Sequence, residues 1–581
     1  MPAPVVTAVF NVTEPMGSIP GLYSDGTHAT DNATNLQSML KELLTLGGVT
    51  NGGGGTLEFP SNASGTAGTA SYAFYGGVTI GTDGTNNQPF NIIIRGDGAQ
   101  ARSQPLLQQT QPGQRFFTVS NNPSDAYGDD QIAGIVFQDL IVSFATDDDD
   151  TTGVGIYVDT GSSVRIQRVT FDEAPDAALW FFKSLHCSVI DCNVRTQKVS
   201  AGTGLRLGGS GSPYIAAETY VAGTTFLAYK TGGTGAELYG ADKLRMVNTR
   251  FEGWANGLVL NVTANSAGIN NCYFGNVSVY SDNAAVSLEV AAGTVENPNF
   301  ITQVWFAQCE FGIPNKSSTT YSGGGVVIAP TDNSTYVIDQ IRFVDCYSCL
   351  WKGQGMDVQG GTNIEILGGH YSCNGVSDSG PQPYSSSGIS LSGPVNGIRI
   401  SNVACNNSVF DLTTTPSRGF AAQTQDFGIY VTGGATNVRI NGCDLTGNIT
   451  NGVLVDGNGG VSNIYVRGCD ITGYSSYSHA VAVPGVVSSL QVTDCGGYND
   501  QGAVLLGIII GGNAVIQNYE WGYHGPLEFY AMSNTAMISA INMNGHNTQL
   551  LQGSFYVAPG ESANVSWSPA MNTIHLLVVG K

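Results

Sequence analysis

A degenerate internal repeat constrains the fold of this chain more than any other feature. The segments "NVRINGCDLTGN" (437–448) and "NIYVRGCDITGY" (463–474) share one pattern, a short strand-like stretch followed by Cys and Asp. Weaker copies are "HCSVIDCNV" (186–194), "AGINNCYFGN" (267–276), "QVWFAQCEFG" (303–312), "QIRFVDCYS" (340–348), "GIRISNVACNN" (397–407) and "SLQVTDCGGYND" (489–500). Copies recur roughly every 22 to 40 residues, so each unit is too small to bury its own apolar face and must stack on its neighbours.

The pattern within each unit predicts strands. Apolar residues alternate with polar ones, glycines mark the corners and helical periodicity is nearly absent, which favours a solenoid of parallel strands. In this solenoid Cys443 and Cys469 point inward and stack. Asp444 and Asp470 then face outward on neighbouring coils.

The eleven cysteines of the chain are predicted to be reduced and internal. Their number is odd, and most occupy the same repeat position beside apolar residues, where free cysteine packs as a small hydrophobe. Disulfides and a metal site are the alternatives. The pair Cys346 and Cys349 has CxxC spacing but no matching second pair, so no metal and no cofactor is predicted.

Charge and targeting signals restrict the partners. The formal net charge of −22 repels nucleic acid and anionic membranes, so neither is an expected partner. The chain has no apolar run of about 18 residues, and its N-terminus lacks the regions of a signal peptide. An extracellular or virion-associated protein would then leave the cell by lysis or another route.

The N-terminal region contains the most specific motif. The order is "YSDGTHATDNATNLQSMLKELL" (23–44), "NGGGGTLEFP" (51–60) and "NIIIRGDG" (91–98). Leu36, Met39, Leu40 and Leu43 recur at helical spacing and predict one amphipathic helix over about 31–46. Strands follow it.

This order resembles the opening of the pectate-lyase-like right-handed parallel β-helix superfamily, and within it phage tailspikes and related polysaccharide depolymerases. The resemblance implies an all-β, right-handed, single-stranded parallel β-helix whose first coil is capped by the helix. It implies an N-terminal cap with the first coils at 1–100 and the β-helix at 101–510. A C-terminal β region at 511–581 would close the solenoid and join three chains into a homotrimer, with a simple monomer cap as the alternative.

The longest interruptions of the repeat lie in the middle of the chain, where they are expected to build a groove for a polysaccharide. Glycoside hydrolysis needs two carboxyl groups. The outward carboxylates on or beside central strands are the candidates for catalysis: Asp172, Glu173, Glu252, Glu310 and Asp345. Each has the alternative of a solvated residue on the outer wall. Asp444 is interpreted as a solvated residue on the outer wall and His370 as a ladder residue, and neither is assigned a catalytic role.

Aromatic side chains near these segments are candidates for sugar stacking: Trp254, Trp305, Trp351 and Tyr321. Packing in the wall or core is the alternative for the tryptophans. Three functions follow in order of preference. The first is an endo-acting hydrolase of bacterial surface or extracellular polysaccharide, the second is a polysaccharide lyase, and the third is a glycan-binding spike without catalysis.

Overall fold

The computed structural model describes residues 8–46, 54–61, 70–81, 91–98, 104–120, 132–145, 152–196, 202–229, 232–263, 267–291, 299–312, 324–330, 336–375, 386–406, 425–448, 451–470, 481–482, 487 and 489–493, and then the strands from 506 to 580, in which only the backbone is described. The chain divides into two compact units, Met1–Ser281 (unit 1) and Asp282–Lys581 (unit 2).

Unit 1 consists of one helix and a long series of short strands. The helix is Ala29–Leu46. The strands are Val9–Asn11, Gly55–Phe59, Ser71–Phe74, Val78–Ile80, Ile92–Gly96, Leu106–Gln109, Arg115–Val119, Ile132–Ala133, Val136–Gln138, Ile141–Phe144, Val154–Val158, Gly161–Ser162, Arg165–Gln167, Thr170–Asp172, Ala177–Phe181, Ser184–Leu185, Ser188–Ile190, Asn193–Thr196, Thr203–Leu207, Ala216–Ala217, Tyr220–Ala222, Thr225–Ala228, Thr234–Leu238, Gly240–Asp242, Arg245–Val247, Arg250–Val262 and Gly268–Gly275. The next strand, Ser278–Val290, contains the division between the units.

Unit 2 continues the same kind of strand. Its strands are Asn299–Ala307, Glu310–Gly312, Val326–Ile328, Tyr336–Val344, Tyr347–Ser348, Met356–Val358, Gly361–Thr362, Glu365–Leu367, Ser387–Leu391, Val395–Asn396, Arg399–Ser401, Phe427–Val431, Thr436–Asn441, Asn451–Val455, Ser462–Arg467, Val481–Ala482, Leu490–Thr493, Leu506–Ile510, Val515–Gly522, Leu527–Ala531, Ala536–Met543, Ser554–Val557, Glu561–Ser568 and Thr573–Gly580, with a 3-10 turn at Gly457–Gly459.

Each coil pairs in parallel with the next, so equivalent residues stack in columns. In unit 1 one buried column contains Ile156, Leu179, Leu205, Ala236 and Leu258. The repeated spacing of the sequence produces this column because strand periodicity turns every second residue inward. The predicted fold class, a right-handed parallel β-helix, is confirmed.

The helix covers the first strands of unit 1, as its apolar face predicts. Leu36, Met39, Leu40 and Leu43 are all buried. The buried Asn32 amide donates to the carbonyl of Ala73 at 3.0 Å, which ties the helix to a strand of the second coil. Covering this end removes an open strand edge.

Parallel coils extend past residue 511, where the C-terminal β region is expected to begin. Parallel pairing continues as far as Ala536–Met543, and the last strands then pair antiparallel. Glu561–Ser568 and Thr573–Gly580 pair antiparallel with each other.

The ten described cysteines are free and buried. Most of their thiols bond backbone carbonyls of the same or the preceding coil, as Cys443 does with Asn441 and Ile400, whereas Cys349 and Cys373 bond carbonyls of the following coil. Cys495 lies outside the described residues. For the described cysteines, the internal reduced ladder is confirmed.

Candidate functional site

A row of left-handed corners shapes one edge of unit 2. Gln308, Asp345 and Asn402 have φ of 54°, 50° and 55°, and Gly368 and Gly442 have φ of 68° and 61°. Backbone hydrogen bonds join the successive corners in chain order: Gln308, Asp345, Gly368, Asn402 and Gly442. Asn, Asp and Gly suit this conformation, because they adopt positive φ at least cost.

A cavity of ≈ 470 Å³ lies along these corners. Its lining is Val344, Asp345, Leu367, Gly368, Gly369, His370, Asn402, Val403, Ala404, Gly442 and Asp444. The two corner glycines carry no side chain, and the side chains of Asp345 and Asn402 lie over Gly368 and Gly442 respectively. The cavity therefore contains one carboxylate predicted as catalytic, Asp345, together with two residues that the sequence analysis set aside, His370 and Asp444.

A column of outward residues stands directly after the corners. Parallel pairing places Glu310, Tyr347, His370, Ala404, Asp444 and Asp470 on successive coils of unit 2. The rings of Tyr347 and His370 lie 5.8 Å apart between centroids. Glu310 and Asp345 are therefore on neighbouring coils, offset by two residues around the corner. The prediction that Asp444 and Asp470 lie on neighbouring coils is confirmed.

Three ionisable side chains in this region have no partner within the described part of the chain. The exposed side chains of Glu310, Asp345 and His370 make no hydrogen bond or ion pair to any described residue. A solvent-facing carboxylate that stabilises nothing inside the protein is available for a ligand. This lack of internal partners distinguishes Glu310 and Asp345 from the other candidates.

Asp444 differs from Asp345 although both line the cavity. Its Oδ1 accepts the backbone N–H of Thr446 at 3.1 Å and the Thr446 hydroxyl at 2.7 Å. Its Oδ2 accepts the side-chain amide of Asn406 at 2.5 Å. With both oxygens used in this way, Asp444 holds a turn and a neighbouring coil in place.

Tyr347, the neighbour of Glu310 in the column, remains a neutral phenol at neutral pH. Burial, followed by the charge and hydrogen bond of the Cys349 thiol, raises the pKa of Tyr347 well above its usual value. A phenol with a raised pKa is a poor proton acceptor, although it donates hydrogen bonds.

The predicted carboxylates of unit 1 are in different surroundings. Asp172 forms a two-pronged ion pair with Arg195 of the next coil, at 2.8 and 2.9 Å. Glu252 pairs with Arg250 at 2.7 Å. Glu173 sits half-buried at a left-handed position with φ of 60°. Asp172 and Glu252 therefore each have an arginine partner, unlike Glu310 and Asp345.

The predicted aromatic platforms are in three kinds of position. Trp254 and Trp351 are 1% and 0% exposed, and their ring N–H groups bond the carbonyls of Phe226 and Phe311. The core alternative is therefore correct for these two, which present no face to a sugar. Trp305 is 46% exposed. Tyr321 lies outside the described residues, as do the insertions at 313–323, 376–385 and 407–424 and the acidic run at 147–150.

Unit 1 contains a polar cluster that the sequence analysis missed. The half-buried Arg206 bonds both Asp176 and Glu237 at 3.0 Å, and its guanidinium lies 4.8 Å from the centre of the Trp180 ring. Burial opposes the charge of Arg206, but the two carboxylates outweigh it and raise the pKa of the guanidinium. Parallel register of Trp180, Arg206 and Glu237 creates this contact, and short-range sequence spacing does not indicate it.

The described residues offer neither a metal site nor a membrane-spanning helix. No group of three or more His, Cys, Asp or Glu in the described residues has a geometry that would hold a metal ion. Within the same part of the chain, the one helix is too polar to cross a membrane.

Several solved structures are similar to this chain at low identity. A module of a mannuronan C-5 epimerase from Azotobacter vinelandii is 14% identical, with 82% of this chain and 100% of that chain covered and a TM-score of 0.40. A tailspike protein of bacteriophage CBA120 is 10% identical over 73% and 56%, with a TM-score of 0.40. DFA-IIIase from Arthrobacter chlorophenolicus A6 is 13% identical over 75% and 94%, with a TM-score of 0.42.

The identities and TM-scores of these structures are too low to transfer an activity. A comparison with curated proteins found no match. The model of a right-handed β-helix region matches residues 154–313. With the parallel register of both units, this match makes the chain a right-handed parallel β-helix protein, as the N-terminal motif predicted.

Proposed function

We propose that this protein is an endo-acting glycoside hydrolase of bacterial surface or extracellular polysaccharide, with Glu310 and Asp345 as its carboxyl pair. The observation that carries the proposal is that both carboxylates are exposed, without hydrogen-bond or ion-pair partners among the described residues, and on neighbouring coils, with Asp345 lining a cavity of ≈ 470 Å³. One would protonate the leaving oxygen and the other would act on the opposite face of the sugar. His370 and Asn402 would bind sugar hydroxyls.

The same surroundings disfavour a lyase. A lyase needs a base that removes a proton next to a uronate and a cation that neutralises the carboxylate. Tyr347 has a raised pKa and is a poor proton acceptor, which leaves His370 as the base that a lyase would use. The residues lining the cavity include neither Lys nor Arg to neutralise a uronate there. The similar solved structures include a phage tailspike protein and a mannuronan epimerase, so we propose a polysaccharide substrate and an extracellular or virion location by analogy.

The test is a panel of bacterial polysaccharides, assayed for new reducing ends and for the absorbance of unsaturated uronates. Hydrolysis produces reducing ends alone. We expect Glu310→Gln and Asp345→Asn each to lower the rate roughly a hundredfold or more, the usual effect of losing a positioned acid or base. The amides keep shape and hydrogen-bonding size, so the variants should fold.

Glu252→Gln is the matched control, because it removes a glutamate that pairs with Arg250. We expect its rate to stay within a few-fold of wild type. A large loss in Glu252→Gln with normal rates in the other two variants would move the site to unit 1. Unsaturated products would establish the lyase, and binding without cleavage would establish a passive spike.

We also propose a homotrimer with parallel solenoid axes. The antiparallel strands after residue 543 support it, because strand edges at a chain end are suited to pairing with other chains. Light scattering in dilute buffer should give three times the chain mass. A mass of 60.6 kDa at every concentration would contradict the trimer.

A further inference from the structure

An exposed row of arginines and aromatic rings crosses the strands of unit 2 that lead into the cavity corners. One residue from each coil stands at the equivalent register position. In order these are Trp305, Arg342, Glu365, Arg399, Arg439 and Tyr465, here called the arginine row. Neighbouring parallel strands lie about 4.8 Å apart, so the row presents one side chain at each such step.

The arginine row is accessible and positively charged. The side chains of Arg342 and Arg399 are 45% and 58% exposed. Glu365 is the one acid of the row, and it lies 2.7 Å from Arg342 and 3.9 Å from Arg399. The exposed Arg439 forms no ion pair with any described residue. Three arginines and one glutamate leave an excess of positive charge.

That excess contrasts with the rest of the chain. The protein has 22 Lys and Arg against 44 Asp and Glu, so a run of arginines at neighbouring register positions is not what its average surface would provide. Aromatic rings flank the arginines. Arg342 lies 5.2 Å from the centre of the Trp305 ring, and Arg439 lies 5.8 Å from that of Tyr465. Such contacts orient a guanidinium against the ring.

We propose that the arginine row binds a linear anionic polysaccharide, laid across the coils in the direction in which they stack. Guanidinium groups bind carboxylate or sulfate groups with two parallel hydrogen bonds, and an exposed indole stacks on a sugar ring. The regular step of the row is similar to the length of one sugar in an extended glycan. The row therefore matches a chain with a charge at each residue or every second residue.

Two features favour a glycan over a nucleic acid. A DNA strand carries one charge per about 3.4 Å, closer together than the roughly 4.8 Å step of the row, and the net charge of −22 opposes this higher charge density more strongly. Trp305 is 46% exposed at one end of the row, and the row stands on the strands that enter the corners, with Arg342 three residues before Asp345. A bound chain would therefore be held beside the cavity.

This inference takes the ligand class from the proposed function and adds its charge, but its test measures binding alone. Labelled oligomers of polygalacturonate, dextran sulfate, neutral dextran and single-stranded DNA are titrated with the full chain at low and high ionic strength. We expect one of the two anionic glycans to bind, neutral dextran to bind more weakly, and salt to reduce the affinity because the cations are exposed.

The double variant Arg399→Gln with Arg439→Gln should bind about fivefold to tenfold more weakly, the size expected from losing two exposed charge contacts. Lys41→Gln with Lys243→Gln is the matched control, since it removes the same charge from exposed positions of unit 1. The control should bind as wild type does. The Arg399→Lys with Arg439→Lys variant should regain part of the affinity, because the charge returns without the planar fork.

Equal losses of affinity in the Arg399→Gln with Arg439→Gln variant and in the Lys41→Gln with Lys243→Gln control would overturn the proposal. Tighter binding of DNA, or no binding of either anionic glycan, would also overturn it. Failure here is separable from failure of the hydrolase. Unchanged binding in the arginine variants, with activity lost in Glu310→Gln, rejects the arginine row alone. Weak binding in the arginine variants, with full activity in Glu310→Gln and Asp345→Asn, rejects the assigned carboxyl pair alone.

Discussion

The carboxylate of Asp345 occupies the space in which residue 368 would carry a side chain. A Cβ added to Gly368 would lie 2.1 Å from Asp345 Oδ1, closer than any real contact, and Gly368 also has a φ of +68°. The glycine thus allows the left-handed corner and leaves room for the carboxylate. A change at a residue with no chemistry of its own should therefore alter the position of a catalytic candidate.

Gly368→Ala should lower both the stability and the hydrolysis rate. The positive φ alone costs about 1 kcal/mol for a residue with a Cβ. The clash should also displace the Asp345 carboxylate, and we expect at least a tenfold lower rate, because small misplacements of catalytic groups are costly. Urea unfolding and initial rates measure the two effects.

Gly468→Ala separates strain from displacement. Gly468 has a φ of +61°, but a Cβ there meets nothing within 4 Å. This variant should lose similar stability and keep its rate. Equal rates in the two alanine variants would show that the position of Asp345 does not matter for turnover.

The fold could be predicted from sequence because its cause is local and repeated. Each coil has the same alternation, and the inward columns follow from it, as Ile156 and Leu179 illustrate. The site could not be predicted in the same way. Whether a carboxylate is free depends on the neighbouring coil, and Asp172 meets Arg195 only through parallel pairing across 23 residues.

The inward orientation of Trp254, a candidate for sugar stacking, has a specific physical reason. Period-2 alternation after the buried Phe251 would turn Trp254 outward. Gly253, with a φ of +80°, breaks the alternation and turns Trp254 inward, where it is 1% exposed. The glycine in "FEGW" was the signal, since an isolated glycine within a strand often marks such an irregularity. His370 was set aside as a ladder residue, and it occupies a ladder position while also lining the cavity.

Thiol reactivity should follow the buried ladder. Burial raises the pKa of Cys187 to about 11 and that of Cys192 and Cys272 to about 12. The thiolate is the reactive form, so these groups should stay unreactive at neutral pH in the folded protein. Titration with a thiol reagent should find few groups before denaturation and eleven afterwards. Disulfide-linked peptides in mass spectra of the native protein would contradict this.

Asp444→Asn should lower the free energy of unfolding much more than Asp345→Asn does. Asparagine at 444 would turn an N–H group toward the buried amide of Asn406, so we expect a loss of about 1–3 kcal/mol, the cost of an unsatisfied buried donor. Asp345→Asn should change stability by less than about 0.5 kcal/mol, because its carboxylate is exposed. Thermal unfolding measures both.

The hydrolysis rates of Asp444→Asn and Asp345→Asn should show the reverse order. Asp444→Asn should keep the rate per folded molecule within a few-fold, whereas Asp345→Asn should lose most of it. A stable but inactive Asp444→Asn protein would make Asp444 a member of the catalytic pair and would leave Asp345 as a wall residue.

The stereochemical outcome of hydrolysis should be inversion. Glu310 and Asp345 are separated by one coil and by two residues around the corner. Strand spacing gives about 4.8 Å for one coil step. The Asp345 carboxylate lies over Gly368 on the following coil, away from the coil of Glu310, so the two carboxyl groups are farther apart than one coil step. Inverting glycosidases keep their carboxyl groups about 6.5–9.5 Å apart to admit a water molecule, and retaining enzymes keep them at about 5–5.5 Å. Proton NMR of the first products, recorded before mutarotation, distinguishes the two results. A product with the substrate's anomeric configuration would indicate a covalent intermediate and a closer carboxyl pair than Glu310 and Asp345.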